Sequence, residues 1–305
     1  MNLLSVKNLS KSYRGIEAVK PMDYLFTAGR CIALIGPNGA GKTTVLRMLA
    51  GSLKPTTGKI DFKEQTIKDD FRQWIGYLPQ YPVFYSWMSG KEFLVYSGRL
   101  AKLTKKEAAD RADKLLDKVG LGDVKNRRIG KYSGGMKQRL GIAQAIIHEP
   151  KILLLDEPVS SLDPIGRREV LELMDELKEQ MTILFSTHIL SDADEVCDEL
   201  ILLHQGNLIE SGLIETLRAK YQTKKMVINF PADAEIYKEA IDQLLQTNCY
   251  TEKNVLHVPL VDEEETRKKI LEKALSENWP IQGFSINQTS LEDLFMKAVN
   301  DTCNG

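Results

Sequence analysis

The sequence lacks the features of several classes of protein. Its longest apolar stretches, such as Ile152–Leu155 and Leu200–Leu203, fall far short of the roughly 20 residues that a membrane-spanning helix needs. The 41 basic and 42 acidic residues nearly cancel, so the chain has no basic footprint for nucleic acid. The 4 cysteines have no Cys-x-x-Cys spacing, which argues against a metal or redox site and favours buried, reduced thiols. The first residues also lack the pattern of a signal peptide, and we therefore expect a protein of the cytosol.

The length and the local composition predict two domains. A chain of 305 residues exceeds the usual size of one hydrophobic core, and its 43% hydrophobic residues are ordinary for a globular protein. We place the domains at residues 1–218 and 219–305, because the polar run Arg218–Lys225 is typical of a linker. The segments after this run alternate as βαβαβ, which predicts a small ferredoxin-like α+β domain closed by a helix at Leu291–Val299.

The first domain also alternates strand and helix patterns. Apolar runs at Leu3–Val6 and Met22–Phe26 predict strands, and the polar residues around Ser10–Gly15 between them predict a turn. Helical periodicity extends from Lys91 to about Val119. From Gly134 onward, strands and helices alternate as in an open parallel α/β sheet.

A phosphate-binding loop is the first chemical motif. Residues 36–43 read Gly-Pro-Asn-Gly-Ala-Gly-Lys-Thr and match G-x-x-x-x-G-K-[ST], between a predicted strand and a predicted helix at Thr43–Ala50. The helix N-terminus favours anions, Lys42 is the expected phosphate clamp, and the Thr43 hydroxyl is of the type that holds Mg²⁺. The alternative is a glycine-rich turn that only joins strand to helix. The predicted nucleotide-binding residues here are Gly36, Pro37, Asn38, Gly39, Ala40, Gly41, Lys42, Thr43 and Thr44.

Two carboxylates follow the apolar strand Ile152–Leu155. Open α/β sheets bind ligands at the carboxyl ends of their strands, which is where Asp156 and Glu157 lie. We expect Asp156 to orient the Mg²⁺ shell and Glu157 to polarise the attacking water as a general base. The alternative is that both residues only cap the turn at Pro158.

Ser133-Gly134-Gly135 lies between these two motifs, and the order of the three resembles that of the ATP-binding cassette (ABC) ATPases. The resemblance covers residues 3–216. It implies a P-loop NTPase fold, with a RecA-like parallel sheet, an antiparallel β subdomain and a helical subdomain. The family's common signature is Leu-Ser-Gly-Gly-Gln; this chain has Tyr132 and Met136 at its ends but keeps the Ser-Gly-Gly core.

The resemblance also implies further site residues. Gln80 corresponds to the glutamine that touches Mg²⁺, and His188 to the switch histidine that donates to the γ-phosphate; otherwise each would be an ordinary loop or structural residue. Asp163 ends the loop that passes information between subunits, and Tyr13 stands where an aromatic stacks on adenine. Ser133, Gly134 and Gly135 would bind the γ-phosphate held by the other subunit. This implies a head-to-tail homodimer that encloses two ATP molecules.

Two segments point to a membrane partner. The sequence Thr289–Phe295 resembles a terminal helix of ATPase subunits in ABC-2-type exporters. The alternative is an amphipathic closing helix, and the two interpretations are compatible. The aromatic stretch Tyr81–Trp87 follows Gln80 and has the composition of an interface anchor. Its alternative is burial within the domain.

Together these features predict an ATPase subunit that binds ATP and Mg²⁺ and drives a permease on another chain. We expect it at the cytoplasmic face of the membrane, working in export of a drug, antibiotic, peptide or lipid. One rival is a soluble ABC ATPase of translation or DNA maintenance, but the chain has neither a second cassette nor a long coiled coil. The other is a regulatory module that holds ATP without turnover, which Glu157 argues against.

Overall fold

The computed structural model describes residues 2–62, 70–160, 162–221, 225–260 and 262–287, together with residues 291, 295 and 298. The chain divides into two compact units, Met1–Ile214 and Glu215–Gly305. Each is described separately below. The division falls four residues before the predicted boundary, which lies within a helix, Ile214–Tyr221.

The first unit contains strands and helices in the alternating order that the sequence indicates. The strands are β1 (Asn2–Tyr13), β2 (Ile16–Thr27), β3 (Cys31–Ile35), β4 (Thr57–Phe62), β5 (Ile75–Leu78), β6 (Ile152–Asp156), β7 (Thr182–Thr187), β8 (Glu199–His204) and β9 (Asn207–Leu213). The helices are α1 (Lys42–Leu49), α2 (Gly90–Leu100), α3 (Lys105–Lys118), α4 (Gly134–Ile146), α5 (Pro164–Lys178) and α6 (Leu190–Val196).

A six-stranded sheet in the order β5-β6-β7-β3-β8-β9 forms the centre of this unit. Its first five strands are parallel, and β9 pairs antiparallel to β8. Every residue of β3 and β6 is buried, as expected for parallel strands that are covered by helices on both faces. The predicted α/β fold is confirmed. In consequence, the loops after β5, β6, β7 and β3 emerge side by side at one edge of the sheet.

A smaller antiparallel sheet, β2-β1-β4, packs against the same core. The predicted turn at Ser10–Gly15 is wrong in extent, because β1 continues to Tyr13 and its last residues pair with β2. Only Arg14 and Gly15 form the turn, both with positive φ. Two of the helical-subdomain helices begin with capping boxes, at Ser89 with Glu92 and at Thr104 with Glu107.

The second unit begins with helix α7 (Ile214–Tyr221), which occupies part of the predicted linker Arg218–Lys225. Its further elements are β10 (Lys225–Asn229), α8 (Glu235–Leu245), β11 (Tyr250–Glu252), β12 (Val255–Pro259), α9 (Glu263–Ser276) and β13 (Gly283–Asn287). The sheet order β11-β12-β10-β13, with all neighbours antiparallel, is that of a ferredoxin-like βαββαβ domain. The sequence prediction omitted the three-residue β11. Most of the predicted terminal helix Leu291–Val299, and of the Thr289–Phe295 motif, lies outside the described residues.

Candidate functional site

The loop at residues 36–41 connects β3 to α1 through backbone shapes that require glycine. Gly39 and Gly41 have φ values of +84° and +105°. A side chain on Gly36 would approach the carbonyl oxygen of Leu203 to 2.3 Å, and one on Gly41 that of Ala18 to 2.7 Å. Helix α1 has no side-chain N-cap hydrogen bond, and the first amides of a helix have no intrahelical partner. These amides are therefore available to an anion.

A cavity of about 360 Å³ opens above this loop. It is lined by Ala18, Asn38, Gly39, Ala40, Gly41, Lys42, Thr43, Thr44, Gln80 and Glu157. Ala18 belongs to β2, so the antiparallel sheet supplies one wall of the cavity, while Gln80 and Glu157 follow strands β5 and β6. The structure thus brings together the phosphate-loop residues and two of the predicted catalytic residues at the carboxyl edge of the parallel sheet, where ligands bind in such folds.

Lys42 is buried beneath the loop. Its Nζ donates to the carbonyl oxygens of Gly36 at 2.7 Å and Pro37 at 3.2 Å, and lies 3.7 Å from Oε1 of Glu157. Burial lowers the pKa of the ammonium, and the carboxylates of Glu157 and Asp156 oppose that shift. The cation is held by weak backbone acceptors and one carboxylate, an arrangement that anionic oxygens entering the cavity can replace.

The carboxylate of Glu157 lies close to three other predicted site residues. Its carboxylate accepts from Nε2 of Gln80 at 3.1 Å and lies 3.5 Å from Nδ1 of His188. Its backbone is left-handed, with φ of +48°, and its amide donates to the hydroxyl of Ser186 at 2.9 Å. The predicted residues Lys42, Gln80, Glu157 and His188 therefore converge, although they follow four different strands.

Asp156 is fully buried beside this group. Its Oδ1 accepts from the hydroxyls of Ser186 at 2.8 Å and Thr43 at 3.1 Å, whereas Oδ2 has no hydrogen-bond partner within the described part of the chain. Burial raises the pKa of this carboxyl, and the two hydroxyls oppose the shift. A carboxylate beside a hydroxyl is the kind of oxygen ligand that a hard divalent cation takes. Ser186, whose hydroxyl contacts both Asp156 and Glu157, was not predicted as a site residue from the sequence. Its position just before Thr187-His188 was the signal that could have identified it.

Comparison with known proteins agrees with this geometry. The ABC transporter family profile matches residues 19–160, and the profile of the DrrA1-3-like ATP-binding protein C-terminal domain matches residues 212–299. YxlF of Bacillus subtilis strain 168, an uncharacterized ABC transporter ATP-binding protein, is 43% identical over 98% of this chain and 100% of its own length. The chain belongs to the ABC transporter ATP-binding proteins. It is thus an ATPase.

Two further proteins are similar to this ABC ATPase. The bacitracin transport ATP-binding protein BcrA of Bacillus licheniformis is 36% identical, covering 72% of each chain. A dimeric ATP-binding cassette, solved in a post-hydrolysis state with ADP and Pi, is 25% identical with a TM-score of 0.63. That similarity covers 70% of this chain and 99% of the solved one. Within the described residues of this ABC ATPase, no helix has the length and apolarity to cross a membrane.

The remaining predicted residues of the ABC ATPase do not line the cavity. Ser133 is the N-cap of α4 and accepts from the amide of Met136 at 3.2 Å, and Asp163 is the N-cap of α5. A side chain placed on Gly134 or Gly135 would come within 4.0 Å of the Leu162 side chain. These residues form a separate surface on the same unit. Tyr13 lies at the β1–β2 turn, half exposed, with Nζ of Lys11 5.2 Å from its ring centre.

The aromatic stretch after Gln80 divides between surface and interior. Tyr81, Tyr85 and Trp87 are exposed, at 76%, 49% and 68% respectively. Phe84 is half-buried and packs edge-on against Phe93 of α2. The segment therefore presents an aromatic surface that is anchored by one inward-facing ring.

Proposed function

We propose that this ABC ATPase is the nucleotide-hydrolysing subunit of an exporter and drives a permease carried on another chain. The observation that supports hydrolysis most directly is the convergence of Lys42, Gln80 and His188 on the Glu157 carboxylate. A regulatory module that only holds ATP would have no need for an acid positioned in this way.

In the proposed reaction, Lys42 leaves its carbonyl acceptors and binds the terminal phosphates of ATP, as the free amides of α1 do. Glu157 then accepts the proton of the attacking water. His188 donates to the γ-phosphate, and its contact with Glu157 keeps it beside the reacting group. Gln80 releases Glu157 when it turns to the metal shell.

Thr43, Asp156 and Gln80 are the residues that we propose for Mg²⁺. The unpartnered Oδ2 of Asp156 and the adjacent Thr43 hydroxyl fit such an ion. No group of three or more His, Cys, Asp or Glu residues that could hold a metal is found where the chain is described. Mg²⁺ is usually held by one or two carboxylates together with substrate phosphates. When bound, Mg²⁺ neutralises charge on the phosphate oxygens.

We propose a dimer because of the separate surface that lies outside the cavity. Ser133, Gly134 and Gly135 open α4 and would contact the γ-phosphate held by the phosphate loop of a second copy, with Asp163 between the two sites. Tyr13 would stack on adenine. The dimeric cassette with ADP and Pi supports this arrangement, because 70% of this chain is similar to it.

A role in transport with a membrane partner is supported by the BcrA relative, which is a bacitracin transport protein, and by the exposed aromatic surface. The direction of export is proposed from the resemblance of Thr289–Phe295 to exporter subunits. We propose that Tyr81, Tyr85 and Trp87 anchor the permease, and that the subunit works at the cytoplasmic face of the membrane. An antibiotic or another amphiphile is the proposed cargo class. Residues 219–305 serve as an accessory, regulatory domain.

The test is reconstitution with a candidate permease, sought among the reading frames that neighbour this chain's own. Tyr85→Asp should abolish substrate transport in proteoliposomes while ATP hydrolysis by the isolated subunit stays within about twofold of wild type, because the ring lies outside the cavity. The matched control is Leu25→Asp, since Leu25 is equally exposed, at 48%. Normal transport by Tyr85→Asp would remove the aromatic surface from the interface. Failure of any membrane partner to associate would favour a soluble, non-transport ATPase.

A further inference from the structure

An ion pair between a half-buried arginine and a buried aspartate lies beside the site but is used by no step above. The carboxylate of Asp192 is 1% exposed and accepts from Arg167, through Nε at 2.6 Å and through Nη2. Burying an unpaired charge is strongly unfavourable, so Asp192 depends on this arginine. Arg167 also contacts the Ser191 hydroxyl at 3.4 Å. The pair therefore joins α5 to α6.

On α5, Arg167 lies next to the surface that is proposed to bind the partner subunit's nucleotide. Arg167 lies in the first turn of α5, and its amide donates to the carbonyl oxygen of Asp163 at 2.9 Å. One residue earlier, the Cα of Gly166 lies 3.9 Å from the position that a side chain on Gly135 would take. The first turns of α4 and α5 therefore lie side by side, and farther along the two helices an ion pair joins Arg139 to Glu169 at 3.4 Å, so a movement of the Ser-Gly-Gly element is passed to α5.

On the α6 side, the pair ends at the turn that carries His188. Oγ1 of Thr187 accepts from the amide of Ile189 at 2.9 Å, which shapes the backbone on both sides of His188. The same hydroxyl lies 3.5 Å from Oδ2 of Asp192. One carboxylate thus contacts α5 through Oδ1 and the His188 turn through Oδ2.

We infer that Arg167 and Asp192 form a positioning pair that couples the partner-facing surface at Asp163 and Gly135 to the orientation of His188. The inference rests on the proposed dimer. Closure of the second copy onto the Ser-Gly-Gly surface fixes α5, and the ion pair transmits that constraint to the histidine turn. Hydrolysis then proceeds only when the opposite nucleotide site is closed. Neither residue touches the nucleotide.

The test compares Arg167→Gln, Asp192→Asn and the double variant in the full chain. We expect kcat for ATP hydrolysis to fall by about tenfold to 100-fold, because a small misplacement of His188 is enough. ATP affinity should stay within about twofold, and the Glu157→Gln background should still accumulate a closed dimer, since the binding groups are intact. The double variant should be no slower than the slower single variant, as expected for residues that act as one unit.

Arg168→Gln is the matched control, because Arg168 is the next residue on α5 and forms an exposed ion pair with Glu172. Its kcat should equal that of wild type. If Asp192→Asn does not fold, Arg167→Lys carries the test, since it keeps the charge and loses the two-pronged contact. An unchanged kcat in Arg167→Gln overturns the inference, as does a joint loss of ATP affinity, dimerisation and kcat. Glu157→Gln in the same assay shows separately whether the proposed hydrolytic site is itself correct.

Discussion

Replacing Glu157 by Gln should separate nucleotide binding from hydrolysis in this ABC ATPase. The change keeps the shape of the side chain and an oxygen that can accept from Gln80, but it removes the negative charge and the proton-accepting capacity. The backbone of residue 157 is left-handed in either case, so the fold of the turn should persist. The variant therefore tests chemistry rather than folding.

The expected magnitudes follow from the contacts of the carboxylate. Loss of a general base slows a reaction by about 10²–10⁴-fold, so hydrolysis should fall by that factor. Glu157 also attracts Lys42 across 3.7 Å, which amounts to about 4 kcal/mol for unit charges at an effective dielectric constant of about 20. This attraction opposes transfer of Lys42 to the phosphates. Its removal should leave ATP affinity unchanged or increase it, and a closed dimer should accumulate.

Steady-state ATP hydrolysis, nucleotide titration and sedimentation of the same preparation provide the three measurements. Glu172→Gln is a suitable control, because Glu172 lies exposed on α5 and pairs only with Arg168 among the described residues. Hydrolysis at the wild-type rate in Glu157→Gln would exclude this residue as the base. Weaker ATP binding would show instead that the Glu157 charge supports the loop, contrary to the electrostatic argument.

Three further changes test the other parts of the site. Lys42→Ala should weaken ATP binding by about 10–100-fold, because charge-assisted hydrogen bonds to phosphate are lost. An ATP affinity equal to that of wild type would contradict the role of Lys42 in binding the phosphates. Ser133→Arg should prevent the closed dimer but spare ATP binding by the monomer, so full hydrolysis by this variant would refute a shared site. A chain that ends at Tyr221, which keeps α7 whole, should remain soluble and bind ATP, while coupling to the permease drops. Failure of that chain to fold would mean that the two units need each other.

The sequence predicted the structure best where a residue type occurs in only one kind of local structure. The all-apolar runs of β3 and β6 predicted buried parallel strands, and the phosphate-loop glycines predicted the strand–loop–helix unit. It was least informative where pairing partners are distant. The polar end of β1 is a strand because β2 and β4 pair with it, and β11 is a strand because β12 follows a turn at Lys253 with positive φ. Local composition records neither.

The same distinction applies to the candidate site, where motifs predicted residues but not the contacts between distant segments. Lys42, Asp156 and Glu157 were predicted from their own motifs, but the hydrogen bond between Gln80 and Glu157 depends on the neighbouring order of β5 and β6. That order is a property of the sheet and cannot be obtained from either segment. The pair of Arg167 and Asp192 was not predicted either, because an arginine and an aspartate on two helices carry no motif.

The backbone at Glu157 explains how two successive acids can serve one cavity. Along an extended strand, neighbouring side chains point to opposite faces, so a straight continuation of β6 would direct Asp156 and Glu157 apart. The left-handed conformation at Glu157 ends the strand abruptly, which leaves Asp156 bonded to Thr43 and Glu157 close to Lys42. This conformation costs a non-glycine residue about 1–2 kcal/mol. The Ser186 hydroxyl offsets part of that cost, since it binds the Glu157 amide and the Asp156 carboxylate together. Glycine would adopt the turn without strain but could not act as the proposed base, so the proposed chemistry accounts for a strained residue that the stability of the fold does not favour.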